Sequence, residues 1–266
     1  MDLRLTGKRA LVTGGSRGIG KAVARQLAAE GADVAVVART AAALEASARE
    51  LSQESGRRVV AVPADTGSDQ QVRDMVATVA AELGGIDILV NAAATPGGGA
   101  PRATLGDITS EMVLAEVNIK VLGYLRCARE VAPHMRASGW GRIISISGLG
   151  ARKSGNTVGS MRNVAVAAMT KNLADELGRD GINVTVVHPG MTWTERMPGL
   201  IERRARDSGR EPAEVAQELG SGNAVGRMIT AEEVADVVTF LASPRSVAIN
   251  GDAVAAGGGD GRAIHY

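Results

Sequence analysis

Cys127 is the only cysteine among 266 residues, so no disulfide can close within the chain and no cysteine cluster can hold a metal. There are three histidines, His134, His188 and His265. They lie far apart without metal-ligand spacing, and no metal is expected. Aromatic residues are nearly missing: Phe240, Trp140, Trp193, Tyr124 and Tyr266 make up 2% of the chain, which argues against a base-stacking platform for nucleic acid. Thirty basic residues against 29 acidic ones leave a net charge of +1. That balance gives no electrostatic case for nucleic acid or for a membrane surface. The N-terminus carries no apolar signal segment, and no apolar run approaches membrane-spanning length. A reduced, cytoplasmic setting is the expectation.

What the chain has instead is aliphatic residues and glycine: 45% of it is hydrophobic and 34 residues are Gly. A core of Val, Ala, Leu and Ile suits parallel strands covered by helices, and the length suits one domain spanning residues 1–266. The informative stretch is Thr13 to Gly20, T-G-G-S-R-G-I-G. An apolar run, Ala10-Leu11-Val12, precedes it. Lys21 to Glu30 follows, with Val23, Ala24, Leu27 and Ala28 at helical spacing. Glycines at a strand-to-helix turn are the dinucleotide fingerprint. Gly14 allows the tight turn, Gly18 clears space for a pyrophosphate, Gly20 lets the helix pack close, and the helix N-terminus faces the phosphates.

Strand and helix signals alternate beyond that point. Strands are expected at Asp33–Val37, Val59–Val62, Ile86–Val90, Arg142–Ser147, Ile182–Val187 and Val247–Val254. Helices are expected at Ala41–Ser55, Asp69–Leu83, Ile108–Ala137 (with Pro133 distorting its last turns), Val158–Leu177 and Ala231–Ala242. Residues Pro96–Pro101 read as a glycine-rich loop. Residues Met191–Gly226 read as a basic, partly helical substrate lid carrying Arg196, Arg203, Arg204, Arg206 and Arg210. Those arginines suit an anionic substrate or, more plainly, a solvated helix. Repeated βα units predict a doubly wound, seven-stranded parallel sheet of Rossmann type with helices on both faces.

Six markers stand in order along the chain: Thr13-Gly14-x-x-x-Gly18-x-Gly20, Asp65, Asn91-Ala92-Ala93, Asn118, Pro189-Gly190 with Thr194, and Ile249-Asn250-Gly251. Together they resemble the short-chain dehydrogenase/reductase family over nearly the whole chain. The resemblance implies a nicotinamide dinucleotide held by Gly14, Ser16, Arg17, Gly18, Ile19 and Gly20 on the first loop, and by Arg39 and Thr40 after the second strand. Asp65 and Thr66 would meet the adenine, with Asn91, Ala92 and Ala93 beside them and Ala93 where the family has glycine. Pro189, Gly190, Thr192 and Thr194 would hold the nicotinamide end. At the second strand's end, where a carboxylate would accept from an NAD ribose, stand Ala38 and Arg39, with Arg17 nearby. Two guanidinium groups and no carboxylate suit the 2′-phosphate of NADP rather than NAD; two solvated arginines are the plain alternative. The resemblance also implies a homotetramer, with a dimer second, paired through the helix Asp107–Ala137, the helix after Val158 and the last strand.

The family's serine, tyrosine and lysine are not found at their places. Met169-Thr170-Lys171-Asn172-Leu173-Ala174-Asp175-Glu176-Leu177 resembles the family's L-T-K-x-L-A-x-E-L, and counting back puts Asn163 at the lysine position and Gly159 at the tyrosine position. Gly141-Arg142-Ile143-Ile144-Ser145-Ile146-Ser147-Gly148 resembles G-R-I-I-N-I-S-S, which puts Gly148 at the serine position with Ser147 one residue early. Asn118, Ser147 and Asn163 are left as the candidate catalytic set. Gly159 can transfer no proton, and Asn163 has no charge to depress a neighbouring pKa. Ser145, Ser147, Ser160, Lys153, Arg162 and His188 are the candidate substitutes, His188 being more simply a strand-end residue. Three functions remain open. One is an NADP(H)-dependent oxidoreductase acting on a small carbonyl, alcohol or activated enone. The second is a cofactor-binding sensor or partner without catalysis. The third is a non-redox enzyme using the same pocket.

Overall fold

In the computed structural model, residues 1–95 and 103–261 are described. The expected loop at Pro96–Pro101 lies outside them, as do His265 and Tyr266. The first half of the sheet is built from β1 (Arg9–Thr13), α1 (Gly18–Ala29), β2 (Asp33–Ala38), α2 (Ala41–Ser55), β3 (Val59–Pro63), α3 (Asp69–Leu83) and β4 (Ile88–Asn91). The second half comprises α4 (Ser110–Glu116), a π-helical segment (Val117–Leu122), α5 (Gly123–Ser138), β5 (Gly141–Ile146), α6 (Thr157–Leu177) and β6 (Ile182–Pro189). There follow β7 (Thr192–Trp193), α7 (Met197–Ser208), α8 (Pro212–Gly220), β8 (Ile229–Thr230), α9 (Ala231–Ala242) and β9 (Ala253–Ala256).

The main sheet has seven strands in the order β3-β2-β1-β4-β5-β6-β9, all parallel. Its strands are apolar on both faces because both are covered. Val12, Val34, Val36, Val90 and Ile144 meet α1, α2 and α9 through Val23, Leu27, Leu44, Leu51, Val234 and Val238. Their alternating neighbours Leu11, Ala35, Val37, Leu89 and Ile143 meet α3, α5 and α6 through Val72, Met75, Val79, Val131, Met135 and Leu177. Sequential strands run outward from β1 to β3, and then the order reverses at β4. A crevice opens beyond the carboxyl ends of strands at such a switch point.

Some boundaries differ from expectation. The helix expected over Ile108–Ala137 starts at Ser110 and passes through a π-helical turn, and α5 continues past Pro133 to Ser138. The last strand begins at Ala253. Ile249-Asn250-Gly251 is a turn in front of it: Asn250 Oδ1 accepts the Val184 N–H at 2.8 Å, and Gly251 takes φ +78°. The basic stretch after β6 forms α7 and α8, which close their own small core of Met197, Ile201, Ala205, Val215 and Met228. Parallel pairing of β7 with β8 pins this unit at its two ends.

Candidate functional site

The glycine turn is held by backbone geometry. Gly14 sits at φ +71°, a region open to glycine without strain, and a Cβ there would lie 2.8 Å from the Ala92 carbonyl oxygen. A Cβ on Gly20 would lie 2.3 Å from the Gly14 carbonyl oxygen. The buried Thr13 ties this turn to the loop after β4, its Oγ1 accepting the Ala92 and Ala93 N–H groups at 3.1 and 3.2 Å. Gly18 begins α1, and a Cβ on it would touch nothing nearer than Thr194 Cγ2 at 3.6 Å, so the cradle in front of it stays open. Arg17 makes no capping bond to α1. The acceptor for the Gly18 N–H is Glu195, with Oε1 at 2.9 Å and Oε2 at 3.2 Å. No sequence spacing points to Glu195, because it arrives from the far side of the chain.

These loops wall a cavity of about 860 Å3, a size in the range of small-molecule and cofactor clefts. Gly14, Ser16, Arg17, Gly18, Ile19 and Gly20 line it, as do Arg39, Thr40, Asp65, Thr66, Ala92, Ala93, Pro189, Gly190, Thr192 and Thr194. Arg17 and Arg39 are exposed on its rim and join no ion pair among the described residues. Asp65 Oδ1 accepts the Gly67 N–H at 2.9 Å. Asn91 is not in the wall: it is fully buried at the end of β4, with both side-chain polar atoms unpartnered.

At the other end the wall comprises Ser147, Gly148, Leu149, Gly150, Asn163 and Lys120. Ser147 Oγ donates to the Asn163 carbonyl at 3.2 Å. The Asn163 side chain is buried with its Oδ1 unpartnered, and its Nδ2 lies 3.2 and 3.1 Å from where a Cβ on Gly148 or Gly150 would stand. Two expected members are elsewhere. Asn118 does not reach the wall: its Oδ1 accepts from Arg126 Nη2 at 3.0 Å and its Nδ2 donates to the Gly67 carbonyl at 3.4 Å, so the loop after β3 holds its amide. Gly159 lies in the first turn of α6, its N–H donating to the capping Asn156 Oδ1 at 2.8 Å, outside the wall.

The candidate substitutes fare unevenly. Lys153 is paired with Asp260, and Arg162 with Glu116. Ser160 Oγ donates to the Lys153 carbonyl at 3.1 Å, and Ser145 is buried within β5. His188 is buried in β6, and its Nδ1 accepts the Gly148 N–H at 3.4 Å. Burial, with positive Arg152 and Lys120 beside it, pushes its pKa down to about 4, so the ring is neutral at pH 7. Tyr124 OH donates to the Ile146 carbonyl at 3.0 Å in the core, and burial raises its pKa beyond that of an ordinary phenol. Lys120, which motif matching passes over, is 4% exposed. Its Nζ donates to the Ser147 carbonyl at 2.8 Å, and burial pushes its pKa down to about 8. The sequence signal for it is a lysine in the slot where the helix's buried stripe, Gly123, Tyr124, Cys127, Ala128 and Val131, calls for an apolar residue. Among the described residues no group of three His, Cys, Asp or Glu side chains could hold a metal.

Comparison with known proteins agrees with this architecture. The family model described as "Enoyl-(Acyl carrier protein) reductase" matches residues 14–260. The short-chain reductase protein NovJ of Streptomyces niveus is 39% identical over 255 residues, 94% of this chain and 92% of that protein. L-sorbose reductase from Gluconobacter frateurii, solved in complex with NADPH and L-sorbose, superposes with a TM-score of 0.92 at 31% identity, covering 99% of this chain and 100% of that one. A short-chain dehydrogenase from Burkholderia cenocepacia J2315 in complex with NADP gives a TM-score of 0.80 at 34% identity, over 96% and 98% of the two chains. The family-model match over residues 14–260 and the 39% identity to a short-chain reductase across 94% of this chain establish that the chain belongs to the short-chain dehydrogenase/reductase family.

Proposed function

We propose that the protein is an NADP(H)-dependent oxidoreductase acting on a small carbonyl, its alcohol or an activated enone, with a rearranged proton path. The observation that carries the cofactor choice is the cavity rim at the end of β2. Ala38 offers no carboxylate there, and Arg17 and Arg39 offer unpaired guanidinium groups. Guanidinium binds phosphate oxygens in pairs, and a ribose 2′-phosphate is the group this rim suits. The side-chain-free Gly18 in front of the α1 N-terminus leaves room for a pyrophosphate in the place of the Glu195 carboxylate that now accepts its N–H. Thr192, Thr194 and Gly190 stand at the nicotinamide end. Relatives solved with NADPH and NADP support the same reading. When bound, the cofactor supplies or accepts a hydride at the substrate carbon.

The chain's own residues do the rest. Ser147 and Asn163 border the reacting end and offer polar groups to the substrate or the ribose. Residues 191–226 act as the substrate lid, with Met191, Arg196, Met197, Leu200 and Arg203 on the cavity side. Gly148, Gly159 and Asn163 stand at the family's serine, tyrosine and lysine positions by register, so reduction of ordinary ketones is expected to be slow. The buried free thiol of Cys127 suits a reduced, cytoplasmic setting. The test is a fluorescence titration with NADPH and NADH, followed by NADPH oxidation across a carbonyl panel. NADPH is expected to bind more tightly, and Arg39→Asp is expected to weaken it about 10- to 100-fold, from roughly 1.5–3 kcal/mol per charged hydrogen bond. Tighter NADH binding by the unmodified protein overturns the cofactor assignment. NADPH binding without turnover on any carbonyl points to a sensor or partner protein instead.

A further inference from the structure

We infer that Lys120 is the proton donor of this site, its ammonium entering from the π-helical segment to do what no side chain at Gly159 or Asn163 can do. This inference rests on the reductase reading above and names the group that completes it.

The position comes first. Lys120 lies in the cavity wall with Asn163, Ser147 and Gly148, and its Nζ is bonded to the carbonyl of Ser147, the residue before Gly148. Gly148 and Gly150 present no side chain to this end of the wall, where a Cβ on either would stand 3.2 or 3.1 Å from Asn163 Nδ2. An ammonium has three N–H donors. One is used on Ser147, and the other two have no recorded protein acceptor among the described residues. The helix explains how the side chain arrives. The π-helical turn Val117–Leu122 resets the register of the helix, and such turns recur at functional sites. It leaves Lys120 in line with Gly123, Tyr124, Cys127 and Val131, all facing inward.

The cost of this arrangement argues for a function. Lys120 is 4% exposed and pairs with no carboxylate among the described residues. A buried unpaired cation destabilises a fold, whereas an apolar residue of the same length fills the slot without that penalty. The other charged and titratable groups around this end of the cavity are already engaged. Arg162 holds Glu116, Lys153 holds Asp260, Arg152 Nη2 donates to the Ala253 carbonyl at 2.9 Å, and the neutral His188 accepts from Gly148. The Tyr124 hydroxyl is spent on Ile146 and the Ser147 hydroxyl on Asn163. Lys120 is the one group here that carries a releasable proton near neutral pH, with its pKa lowered to about 8.

The step balances. A dinucleotide held by the glycine turn would supply the hydride to the carbonyl carbon. The π electron pair moves onto oxygen, which takes a proton from Lys120 Nζ, and the neutral amine left behind regains a proton from water. In the oxidative direction the amine takes the alcohol proton.

The experiment has two arms. In the first, free amines of the unmodified protein are pulse-labelled with acetic anhydride across the neutral and alkaline range and read by mass spectrometry, with and without NADP+. Lys120 is expected to react with a midpoint near 8 and to be shielded by NADP+. The exposed Lys171, held above the ordinary lysine value by Asp175, reacts only at higher pH and without shielding. In the second arm, Lys120→Met and Lys120→Gln are compared with the unmodified protein on its best carbonyl. Reductive kcat is expected to fall about 10²- to 10⁴-fold with the NADPH dissociation constant unchanged, and the decline in kcat above pH 8 is expected to vanish. A carbonyl-reducing protein in which both variants keep kcat and the alkaline decline overturns Lys120 as donor and leaves the reductase reading intact. The same holds if NADP+ leaves the labelling of Lys120 unchanged. A protein that binds NADPH and reduces no carbonyl overturns the reductase reading first, and this inference with it.

Discussion

At the scale of single residues, His188 shows how the interior fixes a protonation state. Its ring is buried in β6 and its Nδ1 accepts the Gly148 N–H. An imidazolium has no acceptor nitrogen, so protonation breaks that bond and places a charge beside Lys120 and Arg152. The folded pKa is about 4 against 6.5 for a free histidine. Between these values the unfolded chain binds more protons than the folded one, so stability falls as pH drops from 6.5 toward 4 and is fully present above 6.5. The loss attributable to this residue is about 3 kcal/mol, from 1.36 kcal/mol per pKa unit. Urea unfolding midpoints measured across that window are expected to fall in the unmodified protein and to fall less in His188→Gln. Equal slopes in the two would show that the ring is not the titrating group.

At the scale of elements, α6 and the helix running from α4 into α5 carry the residues assigned to the reacting end of the cavity, Asn163 and Lys120. The helical period is a local signal, and these elements were legible to within a few residues. The π-helical turn was not. It has no composition of its own and follows from how Asn118, Lys120 and Gly123 pack on neighbouring elements. For the same reason Asn118 was expected in the site, whereas its amide is drawn away by Arg126. Lys120 was passed over because motif matching looks for a lysine on α6. The cofactor loops were legible because strand ends and glycines place backbone, whereas the acid–base group depends on which side chain reaches a given point. Placing Ser, Tyr and Lys at Gly148, Gly159 and Asn163 together in the Lys120→Met protein is expected to restore carbonyl reduction about 10²- to 10⁴-fold. Single replacements in that background are expected to do little. A Cβ on Gly159 stands 3.1 Å from the Asn156 side chain, so the variant is expected to weaken the α6 cap by about 1 kcal/mol. Steady-state kinetics and thermal melts on the single and triple variants check both statements. A triple variant in the Lys120→Met background that is no faster than Lys120→Met alone shows that the register assigned to α6 is wrong.

At the scale of the molecule, exposed apolar side chains recur along α4, α6 and the segment between α4 and α5. Met112 and Leu114 on α4, Leu122 and Leu125 beyond it, and Met161 and Val164 on α6, which packs against α4, are all exposed. Exposed apolar area of this kind marks a contact surface, and a homotetramer is the expected assembly. Light scattering at micromolar concentration is expected to report four chains. A monomer contradicts it, and a dimer retains this face alone. No helix among the described residues is long and apolar enough to cross a membrane.

Glu195 carries a consequence for the order of events. Its carboxylate rests on the Gly18 N–H at the start of α1, where a phosphate oxygen has the same claim, and it stands at the threshold of α7. Incoming dinucleotide is expected to evict it and, on the proposed function, to free residues 191–226 over the substrate. The two ligands are then expected to arrive in sequence, nucleotide ahead of carbonyl, with product alcohol leaving before the oxidised nucleotide. Product-inhibition patterns are expected to be competitive between NADPH and NADP+ alone. Glu195→Gln, having given up the rival charge, is expected to bind NADP+ more tightly and to release it more slowly.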